Sequence, residues 1–245
     1  MDNADPPQDQ VQALLGYCDQ GLFEQALASA SRSLQQFPDS FILHYLLGVA
    51  QAGLGRFEAA IASYNRALTI QSGFAEVWNS LGNVLKEKGE LDAAIDSYSQ
   101  AVTLQPDHVA AWNNLGNVQK LRGDLDAAMA SYRQALRLSP GLAELHNNIG
   151  NVLYDQGDLS AARDSYQEAA RARPGYAAAL WNLSGTAGGI DEAGAWIDQC
   201  LAADPGHAQA RITRAALAYY RGNRSGFDEL LRSDLRDHPY TRSCA

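Results

Sequence analysis

Apolar residues recur along most of the chain at the spacing of one helix face. Between residues 75 and 108, a first stripe contains Trp78, Leu81 and Leu85, which follow the i, i+3, i+7 rule. Gly89 follows this stripe and Pro106 follows the next one, and both residue types end helices. The pattern predicts two helices joined by a tight turn, the second with the apolar stripe Leu91, Ala94, Ile95, Tyr98, Ala101 and Val102.

The same pattern returns every 34 residues, which indicates tandem repeats. Three series of equivalent positions stay in phase: Tyr64, Tyr98, Tyr132 and Tyr166; Ala60, Ala94, Ala128 and Ala162; and Pro106, Pro140 and Pro174. Each period is therefore predicted to be one helix–turn–helix repeat. The predicted repeats are residues 7–40, 41–74, 75–108, 109–142, 143–176, 177–207 and 208–241.

Two repeats depart from the pattern in ways that change the prediction. The sixth is three residues short, and the missing residues fall around Gly185–Gly189, so we expect its first helix to be clipped. The second repeat has Ser72 in place of the proline, so we expect its second helix to continue slightly further.

The 34-residue pattern resembles the tetratricopeptide repeat (TPR) family, with matching residues Trp78, Leu81, Gly82, Leu85, Ala94, Tyr98, Ala101 and Pro106 in the third repeat. The resemblance implies an all-α fold, a right-handed superhelix (α-solenoid) of about seven repeats over residues 7–241. Residues 1–6 would form a disordered N-terminal tail and residues 242–245 a C-terminal tail. It also implies a scaffold that binds a protein or an extended peptide, and not an enzyme.

Asparagines occupy three equivalent positions in successive first helices. They are fifth in their repeats at Asn79, Asn113 and Asn147, sixth at Asn114, Asn148 and Asn182, and ninth at Asn83, Asn117 and Asn151. The fifth and ninth positions share a helix face, and in a TPR stack this face lines the concave groove. An amide offers donors and an acceptor, so we expect a peptide-binding groove. The alternative is structural, because an amide at the sixth or ninth position can satisfy neighbouring backbone groups.

The asparagine-rich sequence looks most like the TPR region of O-GlcNAc transferases and related bacterial proteins. In that family a ladder of groove asparagines holds extended polypeptide, and the matching residues here are Asn114, Asn148 and Asn182. Ser80 and Leu46 interrupt the ladder in the third and second repeats. The resemblance therefore implies a binding mode and leaves the partner open.

A rival hypothesis is that the chain is the N-terminal, substrate-recruiting TPR region of a larger glycosyltransferase or methyltransferase. The segment from Phe227 to Tyr240 faintly resembles the junction before such catalytic domains, and no additional polar helix follows the last repeat. A homodimer formed through an uncapped end or through the clipped sixth repeat is a further possibility.

Composition excludes several other functions. A net charge of −9 and a pI near 4.9 argue against nucleic-acid partners and anionic membrane surfaces. Three widely spaced cysteines provide neither a disulfide framework nor a zinc site, and the five histidines are scattered, so we expect no metal, cofactor or catalytic site. Without a signal peptide or a long apolar run, a cytoplasmic location is expected.

Overall fold

The computed structural model describes residues 6–222, which contain thirteen α-helices and no strand. The predicted all-α fold class is therefore confirmed for this part of the chain. The chain divides into two compact units, residues 1–138 and 139–245. The first contains α1 (Gln8–Asp19), α2 (Phe23–Ser33), α3 (Phe41–Gly53), α4 (Phe57–Ile70), α5 (Ala75–Glu87), α6 (Leu91–Leu104), α7 (Val109–Arg122) and α8 (Leu125–Leu138).

The second compact unit contains α9 (Ala143–Asp155), α10 (Leu159–Ala172), α11 (Ala177–Gly185), α12 (Ile190–Ala203) and α13 (Ala208–Tyr220). Odd-numbered helices are the first helices of the predicted repeats and even-numbered helices are the second ones. Four predicted features lie outside the described residues: nearly all of the N-terminal tail, the second helix of the last repeat, the C-terminal tail and the segment from Phe227 to Tyr240.

Glycine makes the turn between the two helices of a repeat. Gly89, between α5 and α6, has a φ of 79°, and Gly123, which caps α7, has a φ of 93°. Residues with a Cβ rarely adopt this left-handed conformation, so the glycine spacing in the sequence sets the position of the turn in each of the first five repeats.

Close packing of paired helices forms the core of the first compact unit. The Tyr98 ring of α6 is fully buried against Gly82 of α5, where a Cβ atom would approach the ring to 2.7 Å. Gly116 and Tyr132 repeat the arrangement between α7 and α8. A small residue on the first helix therefore makes room for the tyrosine of the second.

The clipped helix predicted for the sixth repeat is confirmed in the second compact unit. Helix α11 has 9 residues, whereas α9 has 13.

The loop that follows α11 is held by Glu192, whose carboxylate accepts hydrogen bonds from the Gly188 backbone N–H (2.9 Å) and from the Arg163 guanidinium (2.6 Å). These two bonds lower the pKa of Glu192, the backbone bond having the larger effect.

The expectation that Ser72 lets α4 continue further was wrong. Helix α4 ends at Ile70 after 14 residues, the same length as α6, which a proline follows. The backbone of Gln71 is extended, and the Trp78 indole N–H donates to the Ser72 carbonyl at 3.0 Å. Trp112 makes the same bond to the Pro106 carbonyl at 2.9 Å. Helix α4 therefore ends at the same position of the repeat as α6 does, with or without a proline, because its backbone already leaves the helical conformation at Gln71.

Candidate functional site

The predicted groove asparagines all lie on first helices, distributed over α5, α7, α9 and α11. We call the side of each compact unit that these odd-numbered helices form the first-helix face. The fifth-position residues Asn79, Asn113 and Asn147 are buried, with 6%, 8% and 5% of their surface exposed. The sixth- and ninth-position residues are half-buried: Asn83, Asn114, Asn117, Asn148, Asn151 and Asn182.

In the first compact unit, three asparagines and a tyrosine form a hydrogen-bonded network between two repeats. The Asn114 amide of α7 donates to Asn79 Oδ1 at 3.0 Å and to Asn83 Oδ1 at 3.3 Å, both on α5. The Tyr98 hydroxyl of α6 donates to Asn83 Oδ1 at 2.7 Å. The network thus joins two successive first helices to the second helix between them.

The second compact unit contains the same network. The Asn182 amide of α11 donates to Asn147 Oδ1 at 2.9 Å and to Asn151 Oδ1 at 3.0 Å. Tyr166 donates to Asn151 Oδ1 at 3.0 Å. Because all three asparagine positions take part, the structural role considered for the sixth and ninth positions exists, although the partners are side chains and not backbone groups.

The remaining three asparagines are also engaged in polar interactions. The Tyr132 hydroxyl donates to Asn117 Oδ1 at 2.7 Å, which repeats the bond from Tyr98 to Asn83. Asn113, Asn117 and Asn148 each have further polar partners. The tyrosine-to-asparagine bond therefore recurs in three repeats of the described chain.

Sequence reasoning assigned the tyrosines to the core and missed that they hold the asparagines. The signal was present, because tyrosine and asparagine both recur with the repeat and stand 15 residues apart in each. Burial raises the pKa of the Tyr98 hydroxyl, and nearby Glu87 raises it further. The hydroxyl therefore remains a protonated donor at neutral pH.

Ser80, which interrupts the asparagine ladder, has a comparable role. Its side chain lies close enough to Tyr45, the fifth residue of the second repeat, and to Tyr64 to lower the pKa of both hydroxyls, against the larger effect of burial. Burial raises the pKa of both tyrosines, most strongly that of Tyr64. A serine–tyrosine link thus connects α3, α4 and α5 where the later repeats use asparagines.

The networks leave specific amide groups available on the first-helix face. Asn114 uses both N–H groups of its amide, so its Oδ1 remains as an acceptor. Asn83 uses both lone pairs of Oδ1, so its two N–H groups remain as donors. Asn182 and Asn151 form an equivalent acceptor and donor pair in the second compact unit.

Two of the histidines in the described part of the chain contact backbone carbonyl groups as part of the helix packing. The ring Nε2 atoms of His44 and His146 lie 2.9 Å from the carbonyl oxygens of Pro38 and Pro140, as the indoles of the corresponding tryptophans do. Among residues 6–222, no group of three or more side chains is placed to bind a metal ion. Within the same range, no helix is long and apolar enough to cross a lipid bilayer.

Solved structures of other proteins share this architecture. A search of curated protein sequences gave no significant match. Among solved structures, the chain is similar to Pseudomonas aeruginosa PilF, with a TM-score of 0.73 and 25% identity over 85% of this chain and 96% of that one. It is also similar to MamA, with a TM-score of 0.61 and 23% identity over 70% and 95% of the two chains.

A third similar structure is YrrB, described as a TPR protein with an unusual peptide-binding site. Its TM-score is 0.60, with 21% identity over 76% of this chain and 97% of that chain. Sequence profiles of the tetratricopeptide repeat match residues 14–74, 79–143 and 143–176, which together make up more than half of the chain. The chain therefore belongs to the tetratricopeptide-repeat family.

Proposed function

We propose that this protein is a non-catalytic scaffold that binds an extended segment of a partner protein along its first-helix face. The observation that carries the proposal is the pairing of an amide donor with an amide acceptor, Asn83 with Asn114 and Asn151 with Asn182. A peptide unit presents one carbonyl and one N–H, so each pair is complementary to backbone of any sequence.

The internal hydrogen bonds support this role because they hold the amides in one orientation before a ligand arrives. A preoriented side chain loses little conformational freedom on binding, which favours affinity. The buried asparagines Asn79 and Asn147 support the amides of Asn114 and Asn182 by accepting their hydrogen bonds. Asn113 and Asn117 belong to the proposed binding face of the first compact unit, and Asn148 belongs to that of the second.

The test uses a substitution that keeps the internal hydrogen bonds and replaces the ligand-facing donors by a charged acceptor. In Asn83→Asp, a carboxylate oxygen still accepts the bonds from Tyr98 and Asn114, whereas the two N–H donors are lost. Asn151→Asp does the same in the second compact unit. The matched control is Asn65→Asp, which makes the same charge change at an exposed position of α4.

A partner is captured from extracts of the source cells, identified by mass spectrometry and titrated into each protein by calorimetry. Two lost hydrogen bonds of about 1 kcal/mol each, together with repulsion between carboxylate and peptide carbonyl, predict at least tenfold weaker binding for the double variant. The control should bind as the wild type does. Equal affinity for all three proteins, with equal melting temperatures, would refute binding through these amides.

A further inference from the structure

A second groove lies away from the asparagines, between the second helices α6 and α8 of the first compact unit, with α7 at its base. Its volume is about 920 Å³. Its apolar base includes Val102, Trp112 and Leu115. The lining residues of α8 extend from Ala127 to Arg137, which corresponds to roughly 15 Å of helix and suits an elongated ligand. We call this surface the α6–α8 groove.

A glutamine lines the α6–α8 groove. Gln119 takes the place that Leu85 has in the preceding repeat and Leu153 in the following one, whereas the second repeat has a glutamine there too, Gln51, which accepts the equivalent bond from Ser63 at 2.7 Å. Gln119 Oε1 accepts a hydrogen bond from the Ser131 hydroxyl at 2.7 Å, which orients the amide. The Nε2 donors of this half-buried residue therefore remain for a ligand in the groove.

The charges around the α6–α8 groove are exclusively positive. Arg133 and Arg137 line it, and no aspartate or glutamate does. Within the described part of the chain, neither guanidinium forms an ion pair, whereas Arg56, Arg66 and Arg122 of the same compact unit each bind a carboxylate. Two exposed arginines without an acidic partner thus stand beside an apolar groove in a chain with a net charge of −9.

We propose that the α6–α8 groove is a second docking site, which binds an acidic amphipathic segment of a partner protein. An apolar side chain of the segment packs on Trp112, its carboxylates pair with Arg133 and Arg137, and Gln119 donates to one of its oxygens. Guanidinium groups bind carboxylates with directed, charge-assisted hydrogen bonds, so charge complementarity selects an acidic ligand. The site is separate from the first-helix face and does not depend on the function proposed for the asparagines.

The probe is a fluorescein-labelled peptide of about a dozen residues in which glutamates flank a central leucine and tryptophan, a length that covers the groove. Fluorescence anisotropy measures its binding to the full chain. Arg137→Glu should weaken binding at least about tenfold. Arg32→Glu, at an exposed position of α2 outside the groove, makes the same charge change and should alter binding less than about twofold.

A second variant tests the amide without changing charge. Gln119→Leu installs the residue of the preceding repeat, and the Ser131 hydroxyl can then donate to the Ala127 carbonyl, as Ser97 does to Ala93. We expect an unchanged melting temperature and roughly fivefold weaker peptide binding. Asn83→Asp should bind the probe as the wild type does, which separates this site from the first-helix face.

Several results would overturn the proposal. The first is absence of binding at millimolar peptide, and the second is equal loss of affinity in the Arg137 and Arg32 variants. Equal binding of a peptide with lysine in place of glutamate would show that the apolar base alone is recognised. Competition by a simple dicarboxylate such as glutarate would indicate a small-acid site, and a dimer that dissociates in Arg137→Glu would indicate a second copy of this chain.

Discussion

A single methyl group at Gly116 should disrupt the packing of α7 against α8. A Cβ atom at this position would lie 2.6 Å from Tyr132 Cε1, 2.7 Å from Cδ1 and 2.9 Å from Cζ. Carbon atoms pack at about 3.5–4 Å, so the ring would have to move by roughly 1 Å. Tyr132 is fully buried and its hydroxyl bonds Asn117, so the ring cannot move without breaking this bond.

The expected magnitude follows from three opposing effects. Overpacking costs about 1–3 kcal/mol. Loss of the tyrosine hydrogen bond costs about 1 kcal/mol more. The higher helix propensity of alanine stabilises the variant by about 1 kcal/mol. We therefore expect Gly116→Ala to lower the free energy of unfolding by about 1–3 kcal/mol.

The assay is urea denaturation followed by far-UV circular dichroism, with Gly16→Ala as the matched control. Gly16 lies within α1, and the nearest atom to its added Cβ would be Gln20 Nε2 at 3.9 Å. Here only the propensity gain applies, so the control should be stabilised by up to about 1 kcal/mol. The reasoning is refuted if Gly116→Ala is as stable as the wild type, or if both variants change stability in the same direction.

Three further changes test other contacts. Trp112→His keeps a ring N–H for its carbonyl partner, so it should retain part of the roughly 2–3 kcal/mol that Trp112→Ala loses at this partly buried position in urea titrations. Tyr98→Phe should cost about 1 kcal/mol in the same assay, and no loss would mean that its hydroxyl does not hold the amide network. Because Gly188 and Arg163 lower the pKa of Glu192, its ionised form stabilises the fold above the ordinary carboxyl pKa, and this contribution is lost as pH falls through the lowered one. Glu192→Gln should flatten the acid side of the melting-temperature profile, and an unchanged profile would refute this.

Most of the fold could be predicted from the sequence because its determinants are local. Gly89 and the apolar stripes on either side of it define two helices and the turn between them through helix spacing and backbone conformation alone. The short α11 also followed from counting residues in the sixth repeat. The expectation for Ser72 was wrong because the backbone of α4 leaves the helical conformation at Gln71, one residue before the position where the other repeats have proline.

The candidate site was only half predictable. Repeat spacing placed Asn83 and Asn114 on neighbouring first helices, and this agrees with their positions on α5 and α7. It did not show that Tyr98 and Asn114 occupy both lone pairs of Asn83, since those partners stand 15 and 31 residues away in the chain. The α6–α8 groove could not be predicted from the sequence either, because it exists only where three helices meet.

The sequence by itself determined that this protein consists of helical pairs repeating every 34 residues, since helix spacing, glycine turns and the period are properties of short segments. Only the tertiary structure decided which polar groups bind one another and which remain for a ligand. An amide such as that of Asn114 can donate to many partners, and the choice depends on distances between helices that periodicity does not contain. Packing of neighbouring repeats therefore separates the amides that hold the fold from the groups that we propose bind a partner.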